Sequence, residues 1–107
     1  MEILLKNEKL NQLFFYYKSL LTKKQREYFL LYYIEDYSLQ EIAEVHGVSR
    51  NAIFDQLNKT STKLELYEEK LGLVKKAQLR YKYIKDFYQT KDLKNLEAII
   101  EMDEQNE

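Results

Sequence analysis

Cysteine and proline are absent from this chain of 107 residues, and glycine occurs only at Gly47 and Gly72. Without thiols there is neither a disulfide nor a thiolate metal site, and a reducing compartment, the cytoplasm, is the expected setting. His46 is the sole histidine, so no metal ion and no cofactor is expected. With so few chain breakers, long helices should dominate. No apolar run approaches roughly 18 residues, which argues against membrane insertion. The opening Met-Glu-Ile-Leu-Leu-Lys lacks the basic start and long apolar core of a signal peptide. Phosphate-binding glycine loops, nucleophile motifs and carboxylate-histidine sets are missing too, so an enzyme is not expected. The net charge is −1, without the basic surplus that free-standing DNA-binding domains use to displace counterions.

What is present is a soluble, globular composition, 45% hydrophobic and 33% charged, sized for one domain with one modest core. The expected fold is all-α: a helical bundle, residues 1–107 as a single domain. The most informative stretch runs from Ser38 to Lys59. Ser38 can cap a helix, and Glu41 stands where a capping box needs its reciprocal acceptor. Leu39, Ile42 and Ala43 have the spacing of a buried helical face. Gly47 can supply the positive φ of a tight turn. Val48 is expected to plug the angle between helices, Ser49 to cap the second helix, and Ile53 and Leu57 to continue the core. This is a helix-turn-helix, at about 38–60, whose second helix can enter a DNA groove.

Its outward positions are Arg50, Asn51, Asp55, Asn58, Lys59 and Thr62. Arg50, Asn51 and Asn58 are types that bond base edges or phosphates, whereas Asp55 can accept from cytosine but repels phosphate. Lys23, Lys24 and Arg26 open the preceding helix. Bases in a helix's first turn oppose its dipole, which suggests a second purpose, contact with DNA phosphate. An ordinary solvated face is the alternative at both places.

Elsewhere the pattern is also helical. Asn7 or Asn11 can start a first helix carrying Leu10, Leu13, Phe14, Tyr17, Leu20 and Leu21. Thr22 suits the cap of a second, from about Lys23 to Glu35, with Asp36 and Tyr37 as a link. The second helix of the helix-turn-helix has no obvious stop before Gly72. Ile53, Leu57, Thr60, Leu64, Tyr67 and Leu71 step 4, 3, 4, 3, 4, a heptad stripe that is either intramolecular core or the seam of a homodimer. A helix from Ser49 to Leu71 would span roughly 34 Å.

A C-terminal helical extension, about 73–104, follows. Val74, Ala77, Tyr81, Ile84 and Tyr88 step 3, 4, 3, 4, with Tyr83 and Phe87 on the opposite side, so this helix has two apolar sides to cover. A last helix from about Asp92, its cap, to Met102 carries Leu93, Leu96, Ile99 and Ile100. From Lys75 to Lys94 there are seven bases and two acids; from Asn95 onward there are five acids and no base. A basic helix followed by an acidic tail can pair with itself. Bases Lys75, Lys76, Arg80, Lys82 and Lys85, interleaved with aromatic rings, form an alternative RNA-binding set. Core aromatics beneath a charged outer face is the plainer and favoured reading.

The run Leu21-Thr22-Lys23-Lys24-Gln25-Arg26, with Leu31 to Leu39, Glu41-Ile42-Ala43, Gly47 to Ile53, and Tyr67-Glu68-Glu69-Lys70-Leu71, resembles the YlxM-type family of small bacterial proteins. Residues 21 to 60 are more loosely similar to region 4 of sigma factors. The match covers roughly Leu13 to Leu73. It implies an all-helical fold with a sigma-like helix-turn-helix, and DNA as partner. It also implies a regulatory or participating role in the signal recognition particle pathway, beside whose GTPases such proteins are typically encoded. The alternative it leaves open is an accessory module contacting that particle's RNA or GTPase.

Overall fold

The computed structural model describes residues 8–105, and among them every regular element is a helix. Their contacts group into two compact units, Met1–Leu71 and Gly72–Glu107.

In the first unit α1 (Glu8–Tyr17) leads through a 3-10 turn (Lys18–Leu20) into α2 (Lys23–Phe29). Asn11 lies inside α1, and Asn7, the other expected start, lies outside the described residues. Leu20 was expected to join the buried set. The 3-10 turn rotates it off the apolar stripe, and it is exposed while Leu21 is buried. Thr22 caps α2 as expected. Its Oγ1 accepts from Gln25 N–H at 3.2 Å, and Gln25 Oε1 accepts from Thr22 N–H at 3.1 Å, a complete capping box.

The expected helix to Glu35 stays helical but widens. Leu30–Ile34 form a π-helical turn, closed by Glu35 N–H donating to Leu30 O at 2.9 Å. Asp36 then takes φ +60°, a conformation that asparagine and aspartate tolerate better than most residues. The link ends at Ser38, the cap of α3 (Leu39–His46). Ser38 Oγ accepts from Glu41 N–H, and the Glu41 carboxylate accepts from Ser38 N–H, both at 3.0 Å. The Ser38 backbone donor holds the Glu41 carboxyl below its ordinary pKa.

Gly47 ends α3 with φ +65°, and Val48 N–H donates back to Ala43 O at 3.0 Å, a Schellman-type closure. An added methyl at Gly47 would meet nothing within 4 Å, so the cost of Gly47→Ala is backbone strain alone. It should lower unfolding free energy by about 1–2 kcal/mol, measured by urea titration. A neutral result would mean the turn relaxes to negative φ.

Ser49 caps α4 (Arg50–Leu71), accepting from Ala52 N–H at 3.0 Å. This 22-residue helix ends where Gly72 adopts φ +61°. Ile53, Leu57, Thr60 and Leu64 of the heptad stripe are fully buried against the unit's own helices, since α1, α2 and α3 all pack on α4. Within this stripe the intramolecular role is therefore filled. Thr60 is accommodated because its hydroxyl donates to Gln56 O at 2.8 Å. Further along, Tyr67 is half-buried and Leu71 is exposed. Tyr17 is buried against this end of the helix, its hydroxyl donating to the Glu68 carboxylate at 2.6 Å.

The second unit is a hairpin of α5 (Leu73–Thr90) and α6 (Lys94–Glu104), joined at Lys91, which takes φ +60°. Asp92 was expected to cap the last helix, but α6 begins at Lys94 with Leu93 as its N-cap and no side-chain cap bond; the Asp92 carboxylate accepts from Lys94 N–H at 2.9 Å in the turn just before it. Val74 is the only buried residue among the described ones of this unit. The large half-buried apolar residues are Leu79, Tyr83 and Phe87 on α5 and Leu96, Ile99 and Met102 on α6. Their helical spacing makes them the seam between the two.

Candidate nucleic-acid interface

In a helix with Ile53, Leu57, Thr60 and Leu64 turned inward, residues half a turn away must face water. Asn51, Asp55 and Lys59 are exposed accordingly, and Asn58 is half-buried, its carbonyl accepting from Thr62 Oγ1 at 3.0 Å. At 100° per residue Asn51 and Asp55 form the crest of the helix. Lys59 lies on one flank and Arg50, also exposed, on the other. The two bases therefore point in opposite directions about the helix axis.

The Lys59 flank borders a groove. Thr22, Lys23, Lys24, Gln25 and Tyr28 of α2 and its cap form one wall, and Val48, Ala52 and Gln56 form the other. Ala52, Gln56 and Lys59 are one row at helical spacing, so Lys59 prolongs that wall. Val48 is 38% exposed at the groove's edge, where it was expected to be a buried plug. Its backbone N–H closes the turn on Ala43 O, and the buried residues on either side of the turn are Ala43 and Ile53.

Lys23 and Lys24 are exposed on this groove, but Arg26 is used differently. Its Nη1 donates to Leu21 O at 2.7 Å and to Lys18 O at 3.4 Å, satisfying carbonyls left open by the 3-10 turn. The structure thus places Lys23 and Lys24 on this groove and ties Arg26 to backbone carbonyls, while helical spacing alone puts Lys59 on the groove's flank of α4 and Arg50 on the other. Two lining residues, Ala52 and Gln56, carry no charge that would have singled them out. Their signal in the sequence is the 4, 3 spacing that ends at Lys59.

The alternative basic set lies on α5. Lys75, Lys82 and Lys85 are exposed, and Lys76 and Arg80 are half-buried. Arg80 is engaged by the acidic helix: its Nη2 donates to Asp103 Oδ1 at 2.6 Å. The self-pairing expected from the charge pattern is seen in this exposed ion pair, which is worth little in stability. The aromatic residues depart from the favoured reading. Tyr83 and Phe87 are half-buried, but Tyr81 and Tyr88 are 68% and 76% exposed. His46 packs its ring edgewise on Tyr28, centroids 4.9 Å apart, at the end of α3.

Comparison with known proteins agrees with this architecture. Residues 4–104 match the model of the UPF0122 family, described as "Putative helix-turn-helix protein, YlxM / p13 like". UPF0122 protein GK1195 of Geobacillus kaustophilus is 51% identical over 79 residues, 74% of this chain and 72% of that protein. UPF0122 protein YlxM of Bacillus subtilis is 53% identical over 75 residues, 70% and 68% of the two chains. UPF0122 protein lmo1802 of Listeria monocytogenes is 53% identical over 77 residues, 72% and 70%.

Proposed function

The chain belongs to the UPF0122 family of YlxM-like helix-turn-helix proteins, and from that premise we propose that it binds duplex DNA as a non-enzymatic regulator. The observation that carries this reading is the groove in which Lys23 and Lys24 of α2 face the Ala52–Gln56 wall of α4. A duplex seated along α4 would meet Asn51 and Asp55 at its base edges. The major groove is about 12 Å wide, with a phosphate strand on each side, and Arg50 and Lys59 leave the helix on opposite flanks. Lys23 and Lys24 stand beyond the Lys59 flank, within reach of the same phosphate strand. The weak net charge of the chain calls for modest affinity with a strong salt dependence.

Its place of work on this reading is the bacterial cytoplasm. The setting implied by the sequence resemblance is the signal recognition particle pathway, with the chain as its DNA-binding regulator. The test is a fluorescence-anisotropy titration of the full chain against promoter duplexes, at roughly 50 and 200 mM salt. Signal recognition particle RNA is run alongside. Duplex binding should fall steeply with salt and be lost in the Arg50→Ala/Lys59→Ala variant. Full affinity in that variant, or binding to the RNA alone, would overturn the reading.

A further inference from the structure

The α5–α6 hairpin buries one side of each helix against the other and leaves a second apolar side uncovered. On α5 that side carries Tyr81, Ile84 and Tyr88, 68%, 49% and 76% exposed. On and just before α6 it carries Leu93 and Ile100, 64% and 56% exposed. The Arg80–Asp103 pair shows that these two sides share one broad face of the hairpin. Arg80 is displaced from the α5 seam toward Ile84, and Asp103 is displaced from the α6 seam toward Ile100. The pair also sets the level of the two helices against each other. Counting back from that pair in an antiparallel hairpin, Ile84 lies level with Ile99 and Ile100, which puts the exposed Ile84 and Ile100 side by side on that face.

Charge identifies what covers it. Helix α5 carries five bases, Lys75, Lys76, Arg80, Lys82 and Lys85, against Asp86 alone. Helix α6 carries four acids, Glu97, Glu101, Asp103 and Glu104, against Lys94 alone. On the far side of the patch Lys85 flanks the α5 stripe, while Glu97 and Glu104 flank the α6 stripe; all three are exposed. A surface that is apolar in the middle, basic along one edge and acidic along the other complements itself after a two-fold rotation. Such a rotation lays α5 of one copy on α6 of the other. We propose that the hairpin is a homodimerisation element, in which two copies form a four-helix bundle around Ile84 and Ile100. An RNA stacking on Tyr81 and Tyr88 would use the rings and bases but would leave the acidic edge of the patch facing phosphate, which disfavours it.

Sedimentation equilibrium of the full chain, at concentrations on the order of 10–100 μM, tests this. The expected mass is twice the 13.0 kDa of one chain. Ile84→Asp/Ile100→Asp should sediment as a monomer with unchanged far-ultraviolet circular dichroism. Lys85→Glu alone should weaken dimerisation by about tenfold, and adding Glu97→Lys/Glu104→Lys to the same chain should restore it. This charge-exchange set touches only exposed side chains, so it decides the matter even if the isoleucine variant unfolds. A monomeric wild-type chain overturns the proposal, as does a dimer indifferent to both sets of substitutions. Neither result bears on whether α4 binds DNA.

Discussion

Replacing Phe29 with alanine is expected to cost about 3–5 kcal/mol of unfolding free energy. Phe29 has no exposure to solvent and stands at the centre of an aromatic column. Its ring stacks on Phe14 with centroids 4.3 Å apart and planes 4° from parallel, and on Tyr33, also at 4.3 Å and 27°. The substitution removes the burial of a whole ring and both stacking contacts, the latter worth about 0.5–1.5 kcal/mol each beyond area. It also leaves a cavity lined by residues from α1 and the π-helical turn. The turn cannot collapse into that space without breaking its own hydrogen bonds. Since a domain of this size is stable by only about 5–15 kcal/mol, much of the margin would go. Urea unfolding monitored by circular dichroism reads the change. A loss below about 1 kcal/mol would show that the column is not a determinant of the first unit's stability.

The second large effect concerns DNA rather than folding. On the proposed reading, Lys23→Ala/Lys24→Ala removes two phosphate contacts. Each contributes about 0.9 to the slope of log K against log salt, so the slope should fall by about 1.8. Extrapolated to roughly 50 mM salt, the same loss weakens binding on the order of 100-fold. Both side chains are exposed, and the capping box of α2 uses Thr22 and Gln25, so the variant should fold normally. Sequence preference should survive, because phosphate contacts position the helix without reading bases. An unchanged salt slope would place the duplex away from the α2 wall.

The elements that the sequence announced most clearly are those fixed by local chemistry. Thr22, Ser38 and Ser49 cap their helices, and Gly47 and Gly72 take positive φ, because each depends on backbone groups two to four residues away. The buried stripe of α4 was equally legible from its period, although period alone left open whether the covering helices belonged to the same chain. What escaped notice depends on a single inserted unit of backbone or on distant partners. The π-helical turn at Leu30–Ile34 has no composition distinct from an α-helix. The groove partners of Lys23 lie about thirty residues later in the chain, so their meeting is tertiary. The role of Arg26 was hidden for a similar reason: its acceptors become orphans only once Lys18–Leu20 adopt 3-10 geometry. Tyr81 and Tyr88 have the spacing of core residues, and spacing cannot report that the hairpin has only one covered side.

Helix α4 carries the core stripe and the exposed crest on one uninterrupted rod, with about 100° of rotation between successive residues. Substitutions on the crest leave the core untouched, so the outward face is free to diverge. Insertions and deletions have no such freedom. One residue gained or lost between Ile53 and Leu64 would swing the amino-terminal crest by more than a quarter turn relative to the buried stripe beyond it. The length of this segment is therefore under tighter constraint than its outward lettering, and change in this protein should proceed by replacement and not by gap.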